Sequence, residues 1–367
     1  MNNTFKTIAL AVLLTSTVTA CAYTTDPNQN NNQDHTMDET NTNTASDSED
    51  SVQSNNNNDE GAENDMNDAE AIVWPEVNLQ KKDEGEAVVQ LQKTLITLGY
   101  VVSEDGIYDD ATTRAITDIQ LQLDNVLAVG VYNAETRKAL KNMDIKALET
   151  KIKPGKELSN ERSEPVSGSD ATETAMITNP YDQLALVNKA NALPKDYVPI
   201  DLVVPDVRFP FEEDYPKKQL RKVAADALEA LFAEADQAGI TLFAQSGYRA
   251  YSTQVFLFNR YAEKHGVEEA NKFSARPGES EHQTGLTMDV TSESVDFRLV
   301  TDFGETPEGQ WIKEHAADFG FIIRYPEGKE DITLYQYEPW HLRYVGEKTA
   351  QEIMNNALTL EEYFNEK

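Results

Sequence analysis

Between Ala22 and Glu70 the chain has twelve asparagines, a succession of acids and not one lysine or arginine. A segment of this kind cannot bury enough apolar surface to offset the entropy of ordering it, so these residues are expected to be disordered. What remains of the 367 residues has room for about two domains of ~100–200 residues each. With 64 acids against 32 bases the formal charge is -32. That balance excludes sequence-independent binding to nucleic acid, which depends on Lys and Arg neutralising phosphates. The single cysteine, Cys21, excludes an intrachain disulfide, a cysteine-based zinc cluster and a cysteine-ligated iron–sulfur centre.

Ahead of the acidic segment, Lys6 precedes the apolar run Ile8–Leu14, and small or hydroxylic residues lead to Ala20-Cys21. This order of charged, apolar and small-residue regions predicts a secretory leader over 1–20. The run is far shorter than the ~20 apolar residues that span a ~30 Å hydrocarbon core, and no other stretch approaches that length. Val18-Thr19-Ala20-Cys21 resembles a bacterial lipobox, which implies a diacylglycerylated Cys21 as mature N-terminus and an anchor in the outer face of the cell membrane. Residues 21–70 then read as a tether. As a flexible coil, 22–70 would have an r.m.s. reach of about 40 Å, from ~5–6 Å × √n.

From Trp74 the pattern becomes helical. Val88, Leu91, Leu95 and Leu98 recur at helical spacing, and Gly99 is expected to close that helix. Two later segments match: Gly106-Ile-Tyr108, Thr112 and Ala115-Ile116 recur 24 residues on as Gly130-Val-Tyr132, Thr136 and Ala139-Leu140. The pattern predicts a three-helix bundle over 71–143. The string LQKTLITLGY…DGIYDDATTRAITDIQ…GVYNAETRKAL resembles the peptidoglycan-binding domain type 1, which implies a wall-targeting module. Residues 144–175, polar and carrying Pro154, Gly155, Pro165 and Gly168, read as a linker.

Residues 176–367 read as α+β, a small antiparallel sheet flanked by helices. A helix is expected from Pro216 to Gly239, a strand over Ile240–Ala244, a helix capped by Ser252 and ending at Gly266, another from Thr306-Pro307 to Gly320, and a strand over Phe321–Tyr325. Of five histidines, His35 falls in the tether, His265 suits a helix C-terminus and His315 shares a helix face with Trp311 and Phe319. His282 and His341 stand apart. After Gly285 the residues alternate, with Leu286, Met288 and Val290 on one face and Thr287, Asp289 and Thr291 on the other. If the apolar face packs inward, Asp289 faces a groove, and a turn at Gly285 lets His282 approach it. Taken alone, the pair is a weak metal signal and reads first as a loop followed by an ordinary strand. In Tyr337-Glu-Pro-Trp-His341, Pro339 bars a regular helix, and at three residues per extended turn Glu338 and His341 fall on one side. Two His and one Asp would leave a fourth zinc position open, although Trp340 in the core with His341 beside it is the alternative for that string.

Taken together, SGYRAYSTQ (246–254), SARPGESEHQTGLTMDV (274–290) and YEPWHLRYVG (337–346) closely resemble the VanY-type D-alanyl-D-alanine carboxypeptidase family of zinc peptidases, as do GFIIRYPEGKEDITLYQ (320–336) and LVNKANALPKDYVP (186–199). The resemblance implies zinc held by His282, Asp289 and His341, with Glu338 as general base and then acid. It implies Arg249 as oxyanion or carboxylate partner, and Gln254 and Ser274 as substrate-pocket residues. The expected activity is removal of a terminal D-alanine from peptidoglycan stem peptides by a monomer, D,D on pentapeptides or L,D on tetrapeptides. A zinc endopeptidase of the wall and a non-catalytic tether of membrane to wall are the competing functions.

Overall fold

The structure, a computed structural model, describes residues 72–158 and 174–365. The expected leader, Cys21, the acidic tether and His35 lie outside the described residues, as does 159–173 of the expected linker.

The N-terminal part contains α1 (Glu86–Thr97), α2 (Asp110–Gln122) and α3 (Ala134–Lys141). Val88, Leu91 and Leu95 of α1 are fully buried, and Gly99 with φ 94° follows the helix in a conformation that a glycine takes readily. The sequence repeat is a structural repeat. Asp109 and Asn133 each accept the backbone N–H three residues on, Thr112 and Thr136, at 2.8 and 2.9 Å. Gly106 and Gly130 share φ 74°, and their N–H groups go to the side-chain oxygens of Gln92 and Gln120. Beyond the three expected helices lies α4 (Ile145–Lys151), capped by Asp144, whose Leu148 and whose following residue Ile152 join the same core. Buried Asp118 collects the N–H groups of Gly155, Glu157 and Leu158. The first half of the expected linker is therefore packed against the bundle. Its polar composition concealed an apolar i, i+4 pair and the acceptor waiting for it in α2.

The second part opens with β1 (Ala175–Met176) and β2 (Asn191–Ala192), paired in parallel, and β3 (Leu202–Val203) and β4 (Leu220–Arg221), paired antiparallel. α5 (Lys222–Gln237) starts six residues after Pro216. The proline instead opens a short 3₁₀ turn, and Leu220 enters β4 opposite Val203. Then come β5 (Phe243–Ser246), α6 (Tyr251–His265), α7 (Val267–Phe273), β6 (Thr287–Thr291), α8 (Pro307–His315), β7 (Phe321–Tyr325), α9 (Glu330–Thr333), β8 (Glu338–Tyr344), α10 (Glu347–Asn355) and α11 (Leu360–Asn365). Ala250, not Ser252, occupies the cap position of α6. Four strands form one antiparallel sheet in the order β5-β6-β8-β7. Leu228, Leu231 and Phe232 of α5 share a core with Met288, Val290, Phe321, Trp340 and Leu342 of the sheet. The mixed helix-and-sheet class expected from the sequence is the one observed.

A hydrogen-bonded seam joins the two parts. Arg221, fully buried, donates to Asp201 Oδ1 (2.9 Å), to the Tyr181 carbonyl (2.8 Å) and across the seam to the Ala128 carbonyl (2.6 Å). Gln183 N–H reaches Val129 O at 3.0 Å, and Lys81 pairs with Asp182 at 3.2 Å. Among the described residues no helix is long and apolar enough to cross a membrane.

Candidate metal centre

Cross-strand register builds the site. Asp289 on β6 lies directly opposite His341 on β8, so both side chains leave the same face of the sheet. Glu338 would point away in a regular strand, since three residues is an odd step. The pairing of β7 with β8 slips between Ile323↔Leu342 and Tyr325↔Glu338, so three residues of β8 face one of β7. The irregularity falls at Pro339, which has no N–H to give, and Glu338 departs from the regular pleat far enough for its Oε2 to come within 3.6 Å of His341 Nδ1. His282 arrives from a 3₁₀ turn (Glu281–Thr284) closed by Gly285 at φ 68°. There a Cβ would sit 2.9 Å from Arg221 Cγ, so only glycine fits. Trp340, between Glu338 and His341, turns to the core as the alternation requires.

Among the described residues, His282, Asp289 and His341 form a group whose ligand atoms all lie within 4.8 Å of one another. His282 Nδ1 is 2.8 Å from the Gly247 carbonyl, so it carries the proton and Nε2 faces Asp289 Oδ2 at 3.4 Å. His341 uses its other edge: Nδ1 is 3.1 Å from Asp289 Oδ1 and 3.6 Å from Glu338 Oε2. All three are about 95% buried or more, and Asp289 Oδ1 is a buried oxygen without a hydrogen-bond donor. A buried carboxylate with an orphaned oxygen, flanked by two imidazole edges, fits a divalent cation, and the mixed N/O donor set suits zinc. Glu338 stands outside the ligand group.

Electrostatics divides the tasks. Burial, reinforced by the Arg249 charge, pushes His282 down to about 3, so its ring is neutral with a free lone pair. Burial opposes ionisation of Asp289, but His282, His341 and Arg249 outweigh it and hold its pKa below the ordinary value. Burial also pulls His341 down, yet the Asp289, Glu281 and Glu338 carboxylates around it raise it to about 9. Glu338 is pushed up to about 7 by burial, with Asp289 adding to the rise and His341 and Arg249 opposing it.

These residues line a cleft of about 400 Å³ together with Arg249, Ser274, Tyr325 and Tyr335. The Arg249 guanidinium is braced by Gln254 Oε1 (3.0 Å) and lies 3.4 Å from Ser246 Oγ. Gln254 itself is 1% exposed and outside the lining; its amide donates to the Ala275 carbonyl at 2.6 Å and lies 3.4 Å from Ser274 Oγ. It stands behind Arg249 rather than in the cleft. Reading the sequence alone misses Glu281, Arg324 and Arg343, a fully sealed cluster against His341. Both arginines lie within strings that carry the family resemblance, and Glu281 adjoins His282, but nothing in a sequence marks a charge as buried.

Comparison with known proteins accords with this geometry. The VanY family profile, D-alanyl-D-alanine carboxypeptidase, matches residues 217–347, and a profile described as a putative peptidoglycan binding domain matches 84–143. The chain is 54% identical over 195 residues to the putative carboxypeptidase YodJ of Bacillus subtilis (strain 168), covering 53% of this chain and 71% of that one. It is 34% identical over 185 residues to the bifunctional D-Ala-D-Ala dipeptidase and D-Ala-D-Ala carboxypeptidase VanXYC of Enterococcus gallinarum, covering 49% and 92%. Among solved structures, that of the LdcB LD-carboxypeptidase superposes with a TM-score of 0.52 at 52% identity, over 54% of this chain and 92% of that one. With a metal-ready His-Asp-His cluster on the sheet and relatives of this kind, the chain belongs to the VanY family of D-alanyl-D-alanine carboxypeptidases and carries a peptidoglycan-binding domain ahead of its catalytic one.

Proposed function

We propose that this chain is a zinc carboxypeptidase that removes the terminal D-alanine of peptidoglycan stem peptides. The observation that carries the reading is the convergence of three buried donors beside a fourth carboxylate that is not a ligand and is poised near neutrality. His282 through Nε2, His341 through Nδ1 and Asp289 would hold zinc, which when bound polarises a carbonyl and acidifies water. Glu338 then accepts a proton from the attacking water and later delivers it to the leaving amine as the peptide C–N bond breaks. Arg249, kept in place by Gln254, donates paired hydrogen bonds to the developing oxyanion or to the substrate's free carboxylate. Ser274 lines the cleft on the side of Arg249.

The 52% identity with an LD-carboxypeptidase favours the tetrapeptide as substrate. The sequence Val18-Thr19-Ala20-Cys21 supports export and a lipid anchor, with residues 22–70 as spacer between membrane and wall. Mass spectrometry of disaccharide-tetrapeptide and disaccharide-pentapeptide incubated with the zinc-loaded protein tests the reading. Loss of one alanine from the tetrapeptide alone is expected. Loss from the pentapeptide alone would make it a D,D-enzyme, and no change in either with zinc bound would overturn the carboxypeptidase assignment in favour of an endopeptidase. The intact chain recovered from membranes should begin at a lipid-bearing Cys21; an unmodified N-terminus there would remove the anchor.

A further inference from the structure

Glu281 adjoins the metal centre without belonging to its ligand group. Its Oε1 accepts from Arg324 Nε at 2.7 Å and from Arg343 Nη1 at 2.8 Å, and neither guanidinium has any exposed surface. Each arginine is tied down in turn. Arg324 forms a two-point pair with Glu361 on α11 (2.9 and 2.7 Å), and Arg343 Nη2 reaches the carbonyls of Gln183 (3.0 Å) and Ala185 (2.9 Å). One oxygen of Glu281 is thereby saturated. The other, Oε2, has no hydrogen-bond partner, and neither does Nε2 of His341. These two orphaned atoms face each other at 3.6 Å inside the protein, with side-chain exposures of 0% and 5%.

Unpartnered polar atoms in a sealed interior are costly, and here each is the natural complement of the other. A neutral imidazole has one N–H and one lone pair. With the proton on Nε2, aimed at Glu281, the lone pair of Nδ1 points at Asp289 and the metal position. With the proton on Nδ1, the ring would aim a donor at the metal position and a lone pair at a carboxylate. We propose that Glu281 is a positioning residue, anchored by Arg324 and Arg343, that holds His341 in its Nε2–H tautomer and sets the angle of the ring. This rests on the zinc reading above. Closing the contact to hydrogen-bond length takes a movement of about half an ångström. Ligating histidines commonly give their second N–H to such an oxygen, and losing the partner typically weakens metal binding by about 10–100-fold.

Glu281→Gln makes a sharp test. If its amide oxygen keeps the two arginines, its NH₂ replaces Oε2 and asks for a lone pair on Nε2, which drives the proton to Nδ1. Zinc affinity of the full chain, measured by competition with a chelating dye, should fall by about 10–100-fold in Glu281→Gln, while His282→Ala should lose site binding altogether. A folded Glu281→Gln that binds zinc within twofold of the parent, alongside a His282→Ala that does not bind, would leave the metal centre standing and remove the role of Glu281. A His282→Ala that binds zinc as tightly as the parent would remove the metal centre and this proposal with it. Should the glutamine variant fail to fold, two-bond ¹⁵N–¹H spectra of the histidine-labelled, zinc-loaded parent decide. A solvent-protected proton on Nε2 of His341 is expected, and its absence overturns the assignment.

Discussion

Glu338 has to take up a proton at one stage and surrender it at the next, which favours a pKa close to the working pH. Burial lifts it from 4.5 to about 7. With its folded value above its unfolded one, the folded metal-free protein holds more protons than the unfolded chain between those two pH values. Its contribution to stability is therefore complete in acid and is lost as pH rises through 7. Glu338→Gln removes that ionisation. Metal-free Glu338→Gln should be more stable than the metal-free parent at pH 8 by on the order of 2 kcal/mol, and the advantage should vanish below about pH 4.5. In the loaded enzyme the same change should keep the metal and lower kcat by roughly 10²–10⁴-fold. Metal content and turnover measured together check this, and metal lost along with activity would make Glu338 a ligand instead. The sequence points to His282, Asp289, His341 and Glu338 chiefly through the family resemblance of the strings that carry them, since residue type and spacing alone leave an ordinary loop and strand as the alternative. The structure brings the two histidines and Asp289 together. Glu281 was not legible in the sequence. A glutamate in the polar string Ser280-Glu-His-Gln-Thr looks solvated, and what seals it are two arginines 43 and 62 residues away.

Among the elements, β8 shows how an expectation can reach the right residues by the wrong geometry. Pro339 suggests a three-residue extended turn; the segment is instead a seven-residue sheet strand, irregular in its pairing at Pro339, in which Glu338 and His341 still approach to 3.6 Å. Strand pairing is a long-range property, so the register that sets Asp289 opposite His341 is invisible to local pattern, and so is the capture of Leu220 by β4 that delays α5. Gly285 was legible, as the turn that brings His282 round. It adopts φ 68°, accepts Arg221 N–H at 2.7 Å, and leaves a Cβ only 2.9 and 3.0 Å from Arg221 Cγ and Leu202 Cδ2. Gly285→Ala should therefore cost about 1–2 kcal/mol for the left-handed backbone alone, and more for the crowding. A lowered melting temperature together with weaker zinc binding is the expected result, read by calorimetry and dye competition. An unchanged melt would show that the turn yields easily.

For the molecule as a whole, the wall-binding part reads from sequence as a separate bead, yet Arg221, Gln183 and Asp182 bind it directly to the catalytic part. Deleting 72–158 strips a carbonyl from a buried guanidinium and a cation from Asp182, so the remaining domain should melt earlier. It should still hydrolyse small soluble peptides while losing action on intact wall; equal loss on both substrates would mean that the module does not serve wall binding. The buried arginine cluster bears on timing as well. Arg324, which grips Glu281, is itself gripped by Glu361 on α11, beyond the stretch that matches the family profile. Synthesis runs from N- to C-terminus, so every other member of the cluster has been polymerised before Glu361 exists. Until that helix is made and docked, Arg324 has only Glu281 of its two carboxylate partners. The charge cluster behind His341 is therefore completed by α11, a helix made after every other element named here.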